Sequence, residues 1–414
     1  MPSSLTWIAH DRDEHDRVNR ILAALKQSEA RDEMGLGAVR DSLADQLFPG
    51  TSTIQTRIRY FLIVPWCFQH IEAKYIRYPK FGSQVERLER DLIAPLLAHD
   101  DVAGTFGRVT GRDVKRLPSS VYWAGLATWG IRKLDLSQQR YTRQIDQVYQ
   151  RQKLQRRNDD GELIRDSSAI MWDPDLPPPP QGFPDKLSLN LEKREAEYLR
   201  DRIQTAAPHS MLAILARAPQ LAGLEHTPFP WNYPGVEGFS ETVQEVLHHA
   251  QIMSELMWGA ALLYNWQLAG LAAPEASQDR LQAIRDDRSA DLQRWRAKTL
   301  QAGGLKRLQD WDFRRFQQVC GQPGHNISDR TWAFIQGWRQ CVVDCEGLVE
   351  NDIAAQELVY KRELFMKRSG GRSRFKNESL RAIWNGTAGI GRMGFRWPGA
   401  HELLNDIHAG LGRV

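Results

Sequence analysis

Thr51, Ser52, Thr53, Gln55, Thr56, Arg57 and Arg59 fall within nine consecutive positions. Hydroxyl, amide and guanidinium groups on the first turns of a helix are the groups that contact base edges and hold phosphates when such a helix enters a nucleic-acid groove. A second cluster comprises Arg108, Arg112, Lys115 and Arg116, followed by Pro118, Ser119 and Ser120. Proline suits the first turn of a helix, where its missing N–H is not needed. Ser119 and Ser120 then stand beside a helix N-terminus, where free N–H groups and the helix dipole favour a phosphate. Between Asp101 and Lys133 six basic residues face two acidic ones, so this segment alone accounts for the formal net charge of +4. A cationic patch of this kind predicts salt-dependent binding of a polyanion.

The elements that must position these groups form two units of similar layout. In the first, Val39, Leu43 and Leu47 recur every four residues, which gives a helix with one buried face ended by Pro49-Gly50. Ser52 and Gln55 fit a capping box, so the spacing predicts a second helix opened by Thr51, Ser52 and Thr53, with Ile54, Ile58, Phe61 and Leu62 inward. Gln55, Thr56 and Arg59 then reach outward, and the basic-aromatic run 74–81 serves as a wing or backbone clamp. The competing reading is a helical hairpin in which Arg57 and Arg59 pair with Asp41 or Asp45. In the second unit a helix carrying Val85, Leu88, Leu92 and Leu96 leads to the glycine-rich basic segment 104–116 and a helix with Val121, Tyr122, Trp123, Leu126 and Trp129. Its competing reading is a solvated basic loop, or one that docks on an acidic protein.

Around these units the chain divides at its composition shifts. Residues 10–34 read as a polar helix with Val18, Ile21, Leu22 and Leu25 on one face. Residues 151–185 are charged and then proline-rich; four consecutive prolines exclude a helix, so this is a linker or strap pinned by Trp172, Leu176 and Phe183. From 186 to 414 the pattern is helical, with helices expected from Asn190, over 240–271, 277–301, 308–320, 328–346 and 352–368, and N-caps at Ser240, Ser277 and Ser328. Alternation with period two is scarce, so strands should be few and short.

With 414 residues, 26% charged and 42% hydrophobic, the composition is that of a globular protein. No apolar run approaches the roughly 20 residues that span a bilayer, and the N-terminus lacks the pattern of a secretory signal. Cys67, Cys320, Cys341 and Cys345 form no C-x-x-C pair, which points to reduced thiols and a cytoplasmic chain. No Gly-Lys dipeptide occurs, so no P-loop is present. Gly389–Gly394 matches G-x-G-x-x-G but leaves no room for a βαβ unit. His248 and His249 point about 100° apart on a helix and do not suit one metal ion. Cys341 and Cys345 lack a second ligand pair. The basic run 367–376 reads as a solvated loop. No catalytic constellation, metal site or cofactor motif is found.

The motifs LTWI, LFPGTSTIQTRIRYFLIVPW, KRLPSSVYWAGLATWGI and FRWPGAHELLNDIHAGL, in this order, resemble a bacterial family of about this length known by a domain-of-unknown-function label. The resemblance spans nearly the whole chain and carries over no catalytic residue. Genes of the family stand beside helicases, phospholipase-D-like nucleases and methylases, which implies a part in restricting phage or foreign DNA.

The expectation is therefore a mainly α protein. Residues 1–150 form tandem helix-turn-helix or winged-helix-like units, 151–185 a strap, and 186–414 an α-helical domain. Thr51, Ser52, Thr53, Gln55, Thr56, Arg57, Arg59, Arg108, Arg112, Lys115, Arg116, Ser119 and Ser120 contact double-stranded DNA, in a non-catalytic DNA-binding or scaffold subunit of an anti-phage system with a helicase or nuclease as partner. The rival readings are a protein-interaction subunit whose tryptophans line an interface, an unrecognised nuclease-type enzyme, and a transcriptional regulator.

Overall fold

A computed structural model describes residues 33–99, 102–153, 156–157, 163–164, 171–271, 278–300, 303–322, 324–368 and 370–413. In chain order the helices are α1 (Gly37–Leu47), α2 (Tyr60–Glu72), α3 (Lys80–Asp91), α4 (Ile93–Leu97), α5 (Pro118–Thr128), α6 (Gln138–Lys153), α7 (Lys193–Ala206) and α8 (Met211–Arg217). They continue with α9 (Glu241–Ala269), α10 (Gln278–Thr299), α11 (Gly304–Gln309), α12 (Phe313–Gly321), α13 (Asp329–Asp344), α14 (Ile353–Lys367), α15 (Glu378–Ala382) and α16 (Trp397–Gly410). Among the described residues the strands are one antiparallel pair, β1 (Arg156–Arg157) and β2 (Leu163–Ile164). The protein is mainly α, as the scarcity of alternation requires. The polar helix expected over 10–34 and the cap at Ser277 lie essentially outside the described residues.

Two compact units make up the chain. One gathers 47–228, 232–243 and 396–414; the other gathers the described part of 1–46 with 229–231 and 244–395. The boundaries expected at 150 and 185 do not separate them. The strap belongs to the first unit, where the Trp66 indole donates to the Pro177 carbonyl at 2.8 Å and the Phe183 ring lies 6.1 Å from that of Trp66. The C-terminal helix belongs there too, through the Trp397 indole on the Thr227 carbonyl and the Trp397 ring against Phe48.

In this first unit α2 is buried on every side: Tyr60, Phe61, Leu62, Ile63, Val64, Pro65, Trp66, Cys67, Phe68 and Ile71 are all inaccessible. A helix apolar all round is a core helix, not a surface one with a reading face. Gly50 admits a close approach beside it. Its φ is +79°, and a Cβ there would lie 2.4 Å from the Trp129 Nε1. Trp129 in turn stacks on Phe61 at 3.8 Å between ring centres. The helix expected to carry Val85 through Leu96 breaks at Leu92 into α3 and α4. Run 74–81 is a turn leading into α3, not a β wing. In α6, Tyr141, Ile145, Val148 and Tyr149 are buried at helical spacing, so its opposite face is left to solvent.

The second unit is built on the long helix α9. The indole N–H groups of Trp295 and Trp338 donate to the Glu255 and Leu256 carbonyls at 2.8 and 2.9 Å. Asn265 fastens the glycine-rich loop that follows α15: its amide donates to the Ala388 carbonyl at 2.7 Å, and its carbonyl accepts the Ala388 N–H at 2.9 Å. Gly389–Gly394 is thus part of a loop held on a helix. His249 accepts the Trp311 indole at 2.9 Å, and burial pushes its pKa down to about 4, so it is a neutral packing histidine. The helix expected over 308–320 is two, α11 and α12, and Ser328 caps α13 through the Thr331 N–H at 3.3 Å.

Candidate nucleic-acid interface

The first basic cluster lies in a loop. Residues 51–59 precede α2 and form turns. Thr51, Thr53, Ile54, Thr56 and Ile58 are β-branched and disfavour helix, and hydroxyls here bind backbone instead of leaving it to a helical ladder. Thr51 donates to the Phe48 carbonyl at 2.7 Å, and Thr56 to the Gly104 carbonyl at 2.6 Å. Half of the expected capping box forms, with the Ser52 N–H on Gln55 Oε1 at 3.1 Å, but it closes a turn. The Gln55 amide, only 2% exposed, donates to the Gly50 carbonyl. Ser52 and Thr53 are half-buried.

Both arginines of this loop are neutralised inside the unit. The Arg57 Nε donates to both carboxylate oxygens of Asp406 in α16, at 2.9 and 3.0 Å. The same carboxylate accepts the Ile58 N–H at 2.9 Å, just ahead of α2. Burial pushes the Asp406 carboxyl up to about 6, although the Arg57 guanidinium pulls it down. Arg59 is 3% exposed; it donates to Glu195 Oε1 at 2.7 Å and to the Ser188 carbonyl at 3.0 Å. Glu195 also caps α7 by accepting the Glu192 N–H at 2.9 Å. The partners are therefore Asp406 and Glu195, not Asp41 or Asp45; Asp41 pairs with Arg40, and Asp45 with His325.

The second cluster faces solvent. Arg108, Arg112, Lys115, Arg116 and Ser120 are exposed. Arg112 pairs with Asp91, while no ion pair is formed by Arg108, Lys115 or Arg116 among the described residues. The seat expected for a phosphate at the start of α5 is filled from within. Ser119 is fully buried, and its N–H and hydroxyl donate to the two oxygens of Glu89 at 2.7 and 2.8 Å. Burial drives the Glu89 carboxyl up to about 7 against those two hydrogen bonds.

Above this buried pair an open groove of about 560 Å³ runs between α3, the segment 115–120 and α6. Its cationic lining is Arg90, Lys115 and Arg143, against the single carboxylate of Glu86. Arg90 Nη1 is held by the Arg112 and Val114 carbonyls at 2.7 and 2.9 Å, which ties the basic segment to α3. Gln138, Gln139, Ser120 and Thr142 supply amide and hydroxyl groups, and Gln138 donates to Ser119 Oγ at 2.9 Å. Tyr78 stands at the rim, 51% exposed. The groove thus unites Lys115, Ser119 and Ser120 with Arg90, Arg143 and Tyr78, which sequence reading did not group with them. The amphipathic pattern of α6, with polar Gln139 and Arg143 opposite Tyr141 and Ile145, is the signal that could have found it.

Among the described residues no group of three or more His, Cys, Asp or Glu is placed to hold a metal ion, and no helix is long and apolar enough to cross a membrane. No curated protein and no solved structure matches the chain. A family model described as a family of unknown function (DUF6361) matches residues 2–410, and the chain belongs to that family.

Proposed function

We propose that this protein binds nucleic acid through the groove between α3 and α6, as a non-catalytic DNA-binding or scaffold subunit working in the bacterial cytoplasm beside the enzymes of an anti-phage system. The observation that carries the reading is the charge of the groove: Arg90, Lys115 and Arg143 line it, with Arg116 exposed next in sequence, against Glu86 alone. Cations left without carboxylate partners are the ones that gain most by displacing counterions from a phosphate backbone. The anti-phage setting and the helicase or nuclease partner come from the family resemblance.

The test is an anisotropy titration of the full chain with labelled DNA. Four phosphate contacts predict that affinity falls about a hundredfold between roughly 50 and 200 mM salt. Absence of binding at the lower salt would refute the reading. A protein-interaction role is the second reading, and it draws on the exposed Leu348, Ile353, Phe365 and Ile383 of the other unit. It does not draw on tryptophan, because none of the described tryptophans is exposed.

A further inference from the structure

We propose that the groove is proton-coupled: a polyanion seated on Arg90, Lys115 and Arg143 draws a proton onto the Glu89 carboxylate beneath it. This inference rests on the nucleic-acid reading above and adds the regulation of that same site. A buried negative charge under the seat repels an anionic ligand, and the repulsion vanishes when the acid takes a proton. Binding and protonation therefore favour one another, by the same factor in each direction.

The coupling follows from where Glu89 stands. Ser119 separates its carboxylate from the groove: both oxygens rest on the Ser119 N–H and hydroxyl, and the same hydroxyl accepts the Gln138 amide of α6 at 2.9 Å. On its other side lies a cavity of about 10 Å³ walled by Ile63 of α2, Leu92, Ile93 and Leu96 along α4, and Phe106. Apolar walls screen little, so the field of the carboxylate is felt in the groove. The titratable groups around it leave that charge standing. Burial pushes Tyr60 and Cys67 of α2 up, so both stay neutral. On α3 itself Glu86 repels the charge and Arg90 attracts it, with Arg90 Nη1 turned to the Arg112 and Val114 carbonyls. Burial outweighs the bonds from Ser119 and holds the acid near neutrality, where a ligand's charge changes its protonation most. The Ser119 N–H donates to Oε1 in either state, whereas the hydroxyl on Oε2 can turn round. The proton thus goes to Oε2, and Ser119 Oγ becomes its acceptor.

The experiment uses the full chain at fixed ionic strength, with a labelled oligothymidylate strand and a labelled DNA duplex of equal length. The parent's affinity for the probe it binds more tightly should fall about tenfold between about pH 5.5 and about pH 8.5. Glu89→Gln is neutral at every pH, so it should keep the parent's acid-side affinity and lose most of the fall. Ser119→Ala removes the hydroxyl that steadies the ionised carboxylate, so the midpoint of the fall should move to higher pH; this variant decides the matter if Glu89→Gln does not fold. A parent affinity that does not change with pH overturns the proposal. So does an equal fall in the parent and in Glu89→Gln, which assigns the effect to histidines, and so does an unmoved midpoint in Ser119→Ala. Each of these leaves the nucleic-acid reading standing. Failure of both probes to bind the parent at either pH overturns both.

Discussion

The loop 51–59 and the segment 108–120 look alike in sequence and end in opposite places. Each sets arginines among small hydroxyl residues ahead of an apolar helix. In the first, Arg57 and Arg59 are drawn inward by Asp406 and Glu195, and their guanidinium groups hold the loop to α16 and α7. In the second, the cations stay outside, while a carboxylate from α3, Glu89, takes the inward position at Ser119. Whether a basic cluster becomes a core strut or an open surface depends on which acidic side chains the fold brings to it, and these lie far away in sequence.

The largest effect should come from breaking the inward pairs. Arg59→Ala, Glu195→Ala or Asp406→Ala each leaves a buried charge or a row of backbone groups without its partner, so each should cost about 3–5 kcal/mol in a denaturant titration. Replacing Arg59 by Met and Glu195 by Leu together should recover much of that loss, because paired apolar substitution removes both desolvated charges. If Arg59→Ala is as stable as the parent, the division between inner and outer arginines is wrong.

Glu89 offers a second way to sharpen the contrast, since it is a buried carboxylate whose raised pKa comes from burial, with the nearby Arg90 charge pulling it down only weakly. Its folded pKa of about 7 lies above the ordinary value of 4.5. The folded protein therefore holds a proton that the unfolded chain gives up. The stability this contributes is complete below about pH 4.5 and is lost as pH rises to about 7. Glu89→Gln, which mimics the protonated acid toward Ser119, should lack this step. Relative to the variant, the parent should lose on the order of 3 kcal/mol across that window. Parallel pH–stability curves for the two proteins would contradict the burial argument.

The outward cations should behave in the reverse sense. Lys115→Ala, Arg116→Ala and Arg143→Ala should each change stability by no more than about 0.5 kcal/mol while weakening nucleic-acid binding. Arg112→Ala should also change stability only a little, by less than about 1 kcal/mol, because its pair with Asp91 is well exposed. A large loss of stability from any of these would place them with Arg59.

The contrast also shows what sequence reading could reach. Helix α1, the stop at Pro49-Gly50, proline at the start of α5, the long helix α9 and the cap at Ser328 are local signals, and the structure contains them all. The helix expected from Thr51 is a loop because the β-branched run and the distant Asp406 together outweigh the capping signal of Ser52 and Gln55. The discontinuous units were not legible either: α16 returns to the N-terminal part of the chain through Trp397 and Asp406, which only tertiary packing reveals. For the groove, Lys115 and Ser120 were found from charge and position. Tyr78 lies in the run 74–81, which the sequence marks as a wing or backbone clamp, but of the first cluster; Arg90 and Arg143 were not found, because helix–helix packing brings them beside Lys115.

The salt dependence of nucleic-acid binding tests the central claim most directly, measured for the parent and for the triple variant Lys115→Ala, Arg116→Ala, Arg143→Ala. Loss of three phosphate contacts should lower the slope of log affinity against log salt by about 2 for a single strand. An unchanged slope in a folded triple variant would mean that the groove is not where the polyanion lies.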